Sequence, residues 1–289
     1  MKSTLGALIA IWTSLALAGD FSGASALQFT AKAVSFGPRP PGSAAIRKLQ
    51  SYLVAQLKLY RCEVSEDAFT AQTPLGPVAM KNIIAKFPGA SGRAIAFSGH
   101  YDTKVFRGFR FVGANDGGAS AGFLLEMARA LAGKPRHDDV YLVWFDGEEA
   151  FAEWSETDGL YGSRHLARKW VADGTARRLK ALINVDMIGD KDLKIPKEAH
   201  SSPEVGRLVW KVAAELGYGR QFPNAQLAIE DDHMPFVRIG APALDLIDFS
   251  YGPNHAWWHT AEDTLDKLSA QSFQIVGDVL VEVLRRLEK

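Results

Sequence analysis

The stretch Val140–Glu149 reads VYLVWFDGEE, an apolar run followed at once by an acidic turn. A short continuous apolar run is typical of a strand that is covered on both faces, as in a parallel sheet flanked by helices. Residues 94–98 and 182–185 are further apolar runs, and they lead to His100 and Asp186. Because ligands bind outside the carboxyl ends of the strands in such sheets, we expect these polar residues to lie near one site.

Helical patterns alternate with the apolar runs. Ser43 can cap an amphipathic helix over Ala44–Tyr60, a second helix is predicted over Gly117–Ala132, and a third, Gln271–Leu287, closes the chain. No repeat and no long linker divides the sequence. It therefore predicts an α/β fold: a single domain over residues 27–289, with a central, mixed and mostly parallel twisted sheet and helices on both faces.

The N-terminal residues are typical of an export signal. Lys2 supplies a positive charge, and Leu5–Ala18 is apolar but too short to span a bilayer comfortably. Small residues offer cleavage after Ala18 or after Ala26. The alternative is an uncleaved N-terminal anchor. We predict a signal peptide within residues 1–26 and a periplasmic or secreted mature protein.

Composition excludes some classes of function. Basic and acidic residues number 33 each, and no block of like charge occurs, so the electrostatic signature of a nucleic-acid-binding protein is missing. No later apolar run approaches the length of about 18 residues that a membrane helix needs, and we expect no stable membrane association. Cys62 is the only cysteine, so an internal disulfide is excluded. It lies at a predicted helix-to-strand junction, and we do not expect it to be a nucleophile.

Three residues are candidates for a catalytic metal site: Asp116, Glu149 and His259. Catalytic zinc takes three protein ligands from His, Asp and Glu and keeps one position open. Their long separations in sequence argue against a structural zinc knuckle and favour a site assembled by the fold. The neighbouring Glu148 would stay free to move protons. An adjacent glutamate pair is commonly surface charge, but this pair follows a buried strand and an Asp-Gly turn.

Three motifs resemble those of the M28 zinc aminopeptidases and glutaminyl cyclases. They are Gly99–Lys104 (GHYDTK), Gly113–Asp116 (GAND) and Phe145–Phe151 (FDGEEAF). The general metallopeptidase pattern has five ligands for two zinc ions. The residues that would fill it are His100, Asp116, Glu149, Asp186 and His259.

Further motifs are similar to those of the cyclase branch. They are the segment Trp154–Ala167, Ile229–Phe236 (IEDDHMPF) and Trp258–Thr260 (WHT). The resemblance extends from about Gly37 to the C-terminus. It implies conversion of an N-terminal glutamine into pyroglutamate with release of ammonia, and one zinc ion per chain. The ligands implied for that ion are Asp116, Glu149 and His259.

The resemblance also implies roles for individual residues. Glu148 would carry protons, and Asp231 would contact the amide nitrogen of the substrate, with Asp186 hydrogen-bonded behind it. The pocket would be lined by Trp154, Trp258, Glu230 and Ile229. The expected partners are peptides or proteins with N-terminal glutamine, or glutamate, and the expected state is a monomer.

Two alternatives remain at this point. In an M28-type di-zinc aminopeptidase, His100 and Asp186 would hold a second metal ion and Glu148 would activate water. A peptide-binding module without activity is the second alternative, and the intact set of ligands with Glu148 argues against it. The number of zinc ions per chain distinguishes the cyclase from the peptidase.

Overall fold

The fold is described from a computed structural model, which describes residues 20–289. Most of the predicted signal peptide, residues 1–19, lies outside the described residues. The first helix spans Gly23–Ser35, so the predicted boundary after residue 26 falls inside it. Phe21 is buried in front of this helix, and its ring centroid lies 4.9 Å from that of Phe123. The segment from residue 20 is therefore packed into the folded domain.

The strands within residues 20–289 are β1 Glu63–Thr73, β2 Gly76–Phe87, β3 Ala94–His100, β4 Asp139–Phe145, β5 Leu179–Asp186, β6 Lys197–Glu198, β7 Gln226–Leu227 and β8 Ala243–Ile247. Six of them form one mixed sheet in the order β1-β2-β4-β3-β5-β8. β3, β4, β5 and β8 pair in parallel, while β1 and β2 form an antiparallel hairpin at one edge. β6 and β7 make a separate two-stranded sheet.

Helices cover both faces of the sheet. In the described part of the chain they are α1 Gly23–Ser35, α2 Ala44–Leu57, α3 Gly118–Leu131, α4 Tyr161–Ala172, α5 Pro203–Glu215, α6 Met234–Arg238 and α7 Ala270–Leu287. One face of the sheet packs against α1, α2, α3, α5 and α7, and the other against α4 and α6. Alternate residues of a strand point to opposite faces, so Phe97 lies in the first apolar cluster and Ala96 in the second.

The predicted fold class is confirmed, and the differences are local. Ser43 caps α2 by accepting a hydrogen bond from the backbone N–H of Ile46. The α-helical geometry ends at Leu57, three residues earlier than predicted. The last turn, Lys58–Tyr60, is a 3-10 helix that stops where Arg61 adopts a left-handed conformation at φ 56°. A tightened final turn is a common way to end a helix.

The parallel strands bring their carboxyl ends to one edge of the sheet. His100 at the end of β3 is paired in register with Phe145 at the end of β4, and Asp186 with Ile247 on β5 and β8. The loops that follow these strands therefore share one surface. Within residues 20–289, no helix is both long enough and apolar enough to cross a lipid bilayer.

Candidate metal centre and active site

Three loops at the carboxyl edge bring Asp116, Glu149 and His259 together. Asp116 precedes α3, Glu149 follows β4, and His259 lies between β8 and α7. One ligand atom from each lies within 4.8 Å of the others. The Nε2 atom of His259 is 3.3 Å from Asp116 Oδ2 and 3.1 Å from Glu149 Oε1.

These separations fit a zinc ion. Atoms bound to one tetrahedral zinc at about 2.0–2.1 Å lie roughly 3.3–3.4 Å apart. The Oδ2 atom of Asp116 is buried and makes no hydrogen bond of good geometry within the described chain. A buried carboxylate oxygen without a donor needs a cationic partner. The donor set, two carboxylates and one imidazole, is the type that catalytic zinc takes.

The backbone around Asp116 is fixed by a glycine and a buried carboxylate. Gly117 has φ 76°, and a Cβ atom there would collide with the carbonyl oxygen of Asp102 and the ring of His100. The carboxylate of Asp263 accepts the backbone N–H of Asn115 at 2.8 Å and that of Asp116 at 3.2 Å. The metal-ligand loop is therefore held against the sheet from both sides.

His259 is held in an unusual conformation. Its φ is 55°, in the left-handed region that non-glycine residues rarely adopt. Its ring stacks on Trp258 at 4.1 Å, and the rings of Phe106 and Phe111 meet it edge-on. Burial lowers the pKa of His259, but the neighbouring carboxylates of Asp116 and Glu149 outweigh this and raise its pKa to about 10. The ring is thus oriented toward the acidic ligands.

His100 joins the metal ligands to a second cluster. Its Nε2 atom lies 3.1 Å from Asp116 Oδ1 and 3.2 Å from Asp186 Oδ1, and these three residues form a second candidate metal group that shares Asp116 with the first. Burial opposes a charge on His100, but Asp186 and the other carboxylates raise its pKa well above the ordinary value. All five residues of the two-metal pattern are therefore neighbours.

Glu148 lies beside the metal ligands and is almost fully buried. Its backbone N–H donates to Asp102 Oδ1 at 3.1 Å, and that of Glu149 approaches Asp102 Oδ2 at 3.4 Å. Burial raises the pKa of the Glu148 carboxyl well above its usual range, and the charges of Glu149 and Asp231 add to the effect, while that of His100 opposes it. A carboxyl group with a raised pKa is suited to general acid–base chemistry near neutral pH.

The hydrogen bond expected between Asp186 and Asp231 stays a prediction. Asp186 Oδ1 faces His100, and Asp231 Oδ2 accepts a hydrogen bond from Asn184 at 3.0 Å. Burial raises the pKa of Asp186 to about 7, and the charge of Asp231 contributes although His100 opposes it. A carboxyl group with this pKa can carry the proton that a hydrogen bond between two acids needs.

A cavity of about 550 Å³ opens over the metal ligands. It brings together every residue for which the sequence suggested contact with substrate: Trp154, Trp258, Glu230 and Ile229. Glu148, Asp186 and Asp231 also line it. Trp154 is 41% exposed, so it forms part of the rim.

Other lining residues were not identified from the sequence as parts of the site. Lys104 lies in the first motif, and its Nζ atom is 3.1 Å from the carbonyl oxygen of Ala150 and 3.5 Å from Glu149 Oε2. This ammonium group offsets part of the negative charge of the ligand set. Met187 and Phe249 each closely follow the end of a parallel strand, β5 and β8, and that position is the signal that could have identified them.

Known proteins share both the sequence pattern and the fold. The sequence pattern of peptidase family M28 matches residues 82–284. Glutaminyl-peptide cyclotransferase of Bothrops jararaca is 32% identical over 279 residues, covering 84% of this chain and 75% of that relative. The Drosophila melanogaster cyclotransferase is 30% identical over 252 residues, covering 78% and 70%. The crystal structure of a glutaminyl cyclase from an Acidobacteriales bacterium has a TM-score of 0.89 and 41% identity, covering 93% of this chain and 96% of that one.

The fold and the metal site thus define the class: the chain belongs to peptidase family M28. This family assignment agrees with the five clustered metal-type residues and with the position of the pocket at the carboxyl edge of the sheet. Within the family, the chain is a glutaminyl cyclase, as its curated relatives and its 41% identical structural neighbour show.

Proposed function

We propose that this chain, a zinc-dependent glutaminyl-peptide cyclotransferase, acts with one zinc ion held by Asp116, Glu149 and His259. The substrates are peptides or proteins with N-terminal glutamine, or glutamate. The observation that carries the proposal is the position of Glu148, which is buried at the floor of the pocket directly beside the ligand set. A carboxyl group that is not a ligand, but adjoins the metal site, can move the protons that cyclisation requires.

The reaction is an intramolecular aminolysis. The Glu148 carboxylate takes a proton from the α-ammonium group, and the free amine then attacks the δ-carbon of the same glutamine residue. Glu148 returns this proton to the side-chain nitrogen, the bond from the δ-carbon to that nitrogen breaks, and ammonia leaves. The ring nitrogen then gives its remaining extra proton to the Glu148 carboxylate, which passes it to the released ammonia or to solvent. Asp231 accepts a hydrogen bond from the departing nitrogen. Bound zinc supplies a Lewis acid that polarises the side-chain carbonyl and stabilises the negative charge developing on its oxygen.

The pocket walls favour the folded shape of the substrate. A glutamine side chain must bend back for its δ-carbon to meet its own α-nitrogen, which costs conformational entropy in solution. Trp154 and Trp258 present flat apolar surfaces to the cavity. Walls of this kind select the bent conformer and bring the reacting atoms together before the chemical step.

The single-ion reading is supported by the similarity to glutaminyl cyclases, and the second cluster at His100 and Asp186 makes it testable. Metal analysis of the purified protein should give one zinc equivalent per chain. Ammonia should be released from a Gln-peptide, and no free amino acid from an Ala-peptide. Two zinc equivalents together with release of alanine would identify a di-zinc aminopeptidase instead.

We also propose that the chain is exported and cleaved after Ala18 rather than after Ala26. The packing of the following residues supports this choice. Ser22 caps α1, and its backbone N–H donates to Glu126 at 2.6 Å, while Phe21 is buried. Cleavage after Ala26 would remove these contacts and the first turn of the helix. Mass spectrometry of the native protein should therefore show an N-terminus at Gly19. An N-terminus at Leu27 would contradict the proposal.

We further propose that the chain acts as a monomer. The supporting observation is that one chain supplies the three candidate ligands, Glu148 and the pocket walls. Light scattering on the active protein should give the mass of one chain. A stable dimer whose dissociation abolishes activity would contradict this.

A further inference from the structure

Asn184 lies in β5, two residues before Asp186, and is completely buried. Its side-chain nitrogen is 3.0 Å from Asp231 Oδ2 and 3.2 Å from Asp245 Oδ1, and its oxygen accepts a hydrogen bond from Ser98 at 2.9 Å. A flipped amide would place its oxygen against two carboxyl groups. The orientation is therefore fixed, and both amide hydrogens are used.

The second acceptor of this amide is itself held in place. The backbone N–H of Asp245 donates to the hydroxyl of Ser201 at 3.0 Å. Its Oδ2 atom faces His233 Nδ1 at 4.0 Å, and His233 Nε2 is 3.0 Å from Glu198 Oε2. Because the Asp245 and His233 side chains are fully buried, Asp245 has little freedom to move. The Asn184 amide is thereby anchored at its oxygen and at one of its hydrogens.

The remaining hydrogen of the amide points to Asp231. The other carboxyl oxygen of Asp231, Oδ1, accepts the backbone N–H of Asp232. Each oxygen of the Asp231 carboxyl group thus accepts one hydrogen bond: Oδ2 from the side-chain amide of Asn184, and Oδ1 from the backbone amide of Asp232. Asp231 lines the substrate pocket, so these two donors decide which way its carboxylate faces there.

We propose that Asn184 is a positioning residue for the cyclisation reaction, which holds the Asp231 carboxylate in the orientation that meets the departing nitrogen of the substrate. The inference rests on the proposed role of Asp231. An amide suits this place because it gives one donor to each of two neighbouring acids without adding a charge next to the metal site. In a buried environment such hydrogen bonds are strong and their loss is costly.

The test uses two variants of the zinc-loaded protein. Asn184→Leu keeps most of the volume but removes both donors, and Asn184→Asp keeps the shape but replaces the donor nitrogen with oxygen. We expect kcat for a Gln-peptide to fall roughly ten- to a hundredfold, since small misplacements of reacting groups have effects of that size. KM and the zinc content should stay near those of the wild type. If the leucine variant does not fold, the kcat of the aspartate variant alone tests the proposal.

Val185→Ala is the matched control. Val185 is the next residue of β5, is fully buried, and packs into the apolar cluster on the opposite face from Asn184. This substitution should lower the melting temperature while kcat is retained. A loss of kcat as large as that in the Asn184 variants would show a general loosening of the strand and would overturn the proposal.

A double-mutant cycle with Asp231→Asn separates positioning from a structural role. If Asn184 acts through Asp231, adding Asn184→Leu to Asp231→Asn should change kcat by less than about twofold. Multiplicative effects would overturn the proposal. Failure of the proposed function has a different signature: the wild type would then release no ammonia, or Asp231→Asn alone would keep full kcat.

Discussion

Replacing Glu148 by glutamine should leave the fold and the zinc site intact and remove most of the turnover. The amide is nearly isosteric, and the Asp102 carboxylate holds the backbone rather than the side chain of Glu148. Glutamine can still accept a hydrogen bond from the substrate ammonium, but it cannot take and return a proton.

The structure sets the expected size of the effect. The nearest basic group is His100, with Nδ1 3.9 Å from Glu148 Oε2, and it is tied to Asp102 and Asp116 as well. Because the side chain is nearly shielded from solvent, no bulk water can easily replace the lost carboxylate. General acid–base catalysis contributes about 10²–10⁴ in rate, and the same group acts in two proton transfers. We expect the upper part of this range, a loss of about 10³–10⁴ or roughly 4–5.5 kcal/mol in activation free energy.

The assay is steady-state ammonia release from a Gln-peptide, together with zinc content and thermal melting. KM should change little, because the Glu148 side chain is not a metal ligand in the proposed mechanism. The melting temperature at neutral pH should not fall: a carboxyl whose pKa is raised by burial destabilises the fold when it ionises, and glutamine removes that ionisation. Glu153→Gln, which changes an exposed carboxylate on the same loop, is the control and should keep its kcat. A Glu148→Gln protein with normal kcat, or with activity restored by excess zinc, would refute the reasoning.

Three further predictions concern the metal site and the thiol. His259→Ala should lose both zinc and activity, because three ligands leave none to spare, whereas His100→Ala should keep one zinc equivalent; metal analysis showing the reverse would exclude the assignment. Zinc uptake should release at least one proton near pH 7 and weaken as the pH falls, because the His259 ring, with its pKa raised to about 10, is protonated there and must become neutral to bind; calorimetry that shows no proton release would contradict this. Cys62 should react slowly with iodoacetamide in the native state at pH 8, since burial raises the pKa of its thiol to about 11 and keeps it protonated; labelling as fast as in the unfolded chain would disagree.

The sequence was most informative where strands end in polar residues. Apolar runs that lead to Glu148, Asp186 or His100 indicated buried parallel strands and the edge at which a site forms, because both properties follow from local sequence. Roles for individual residues came mainly from the family resemblance. The hydrogen bond expected between Asp186 and Asp231 stays a prediction.

The sequence did not identify Asn184 as a neighbour of Asp231. It lies within the apolar run of β5, where a single polar residue resembles a tolerated exception, and its partners come from distant parts of the chain. Asn184 and Asp186 are two residues apart in the same strand, and this spacing is the local signal that their side chains point to the same face of the sheet. The helix α1 was missed for another reason, since its first turn overlaps the predicted signal peptide and its contacts with α3 and α7 are long-range.

The central claim, that this chain cyclises N-terminal glutamine, is tested most directly by following the two nitrogen atoms of that residue. A peptide with heavy nitrogen in the side-chain amide of its N-terminal glutamine is incubated with the zinc-loaded protein, and the products are analysed by mass spectrometry. The label should leave as ammonia, while the peptide keeps its unlabelled α-nitrogen in a pyroglutamyl ring. Release of labelled free glutamine, or an open-chain glutamate peptide, would contradict it.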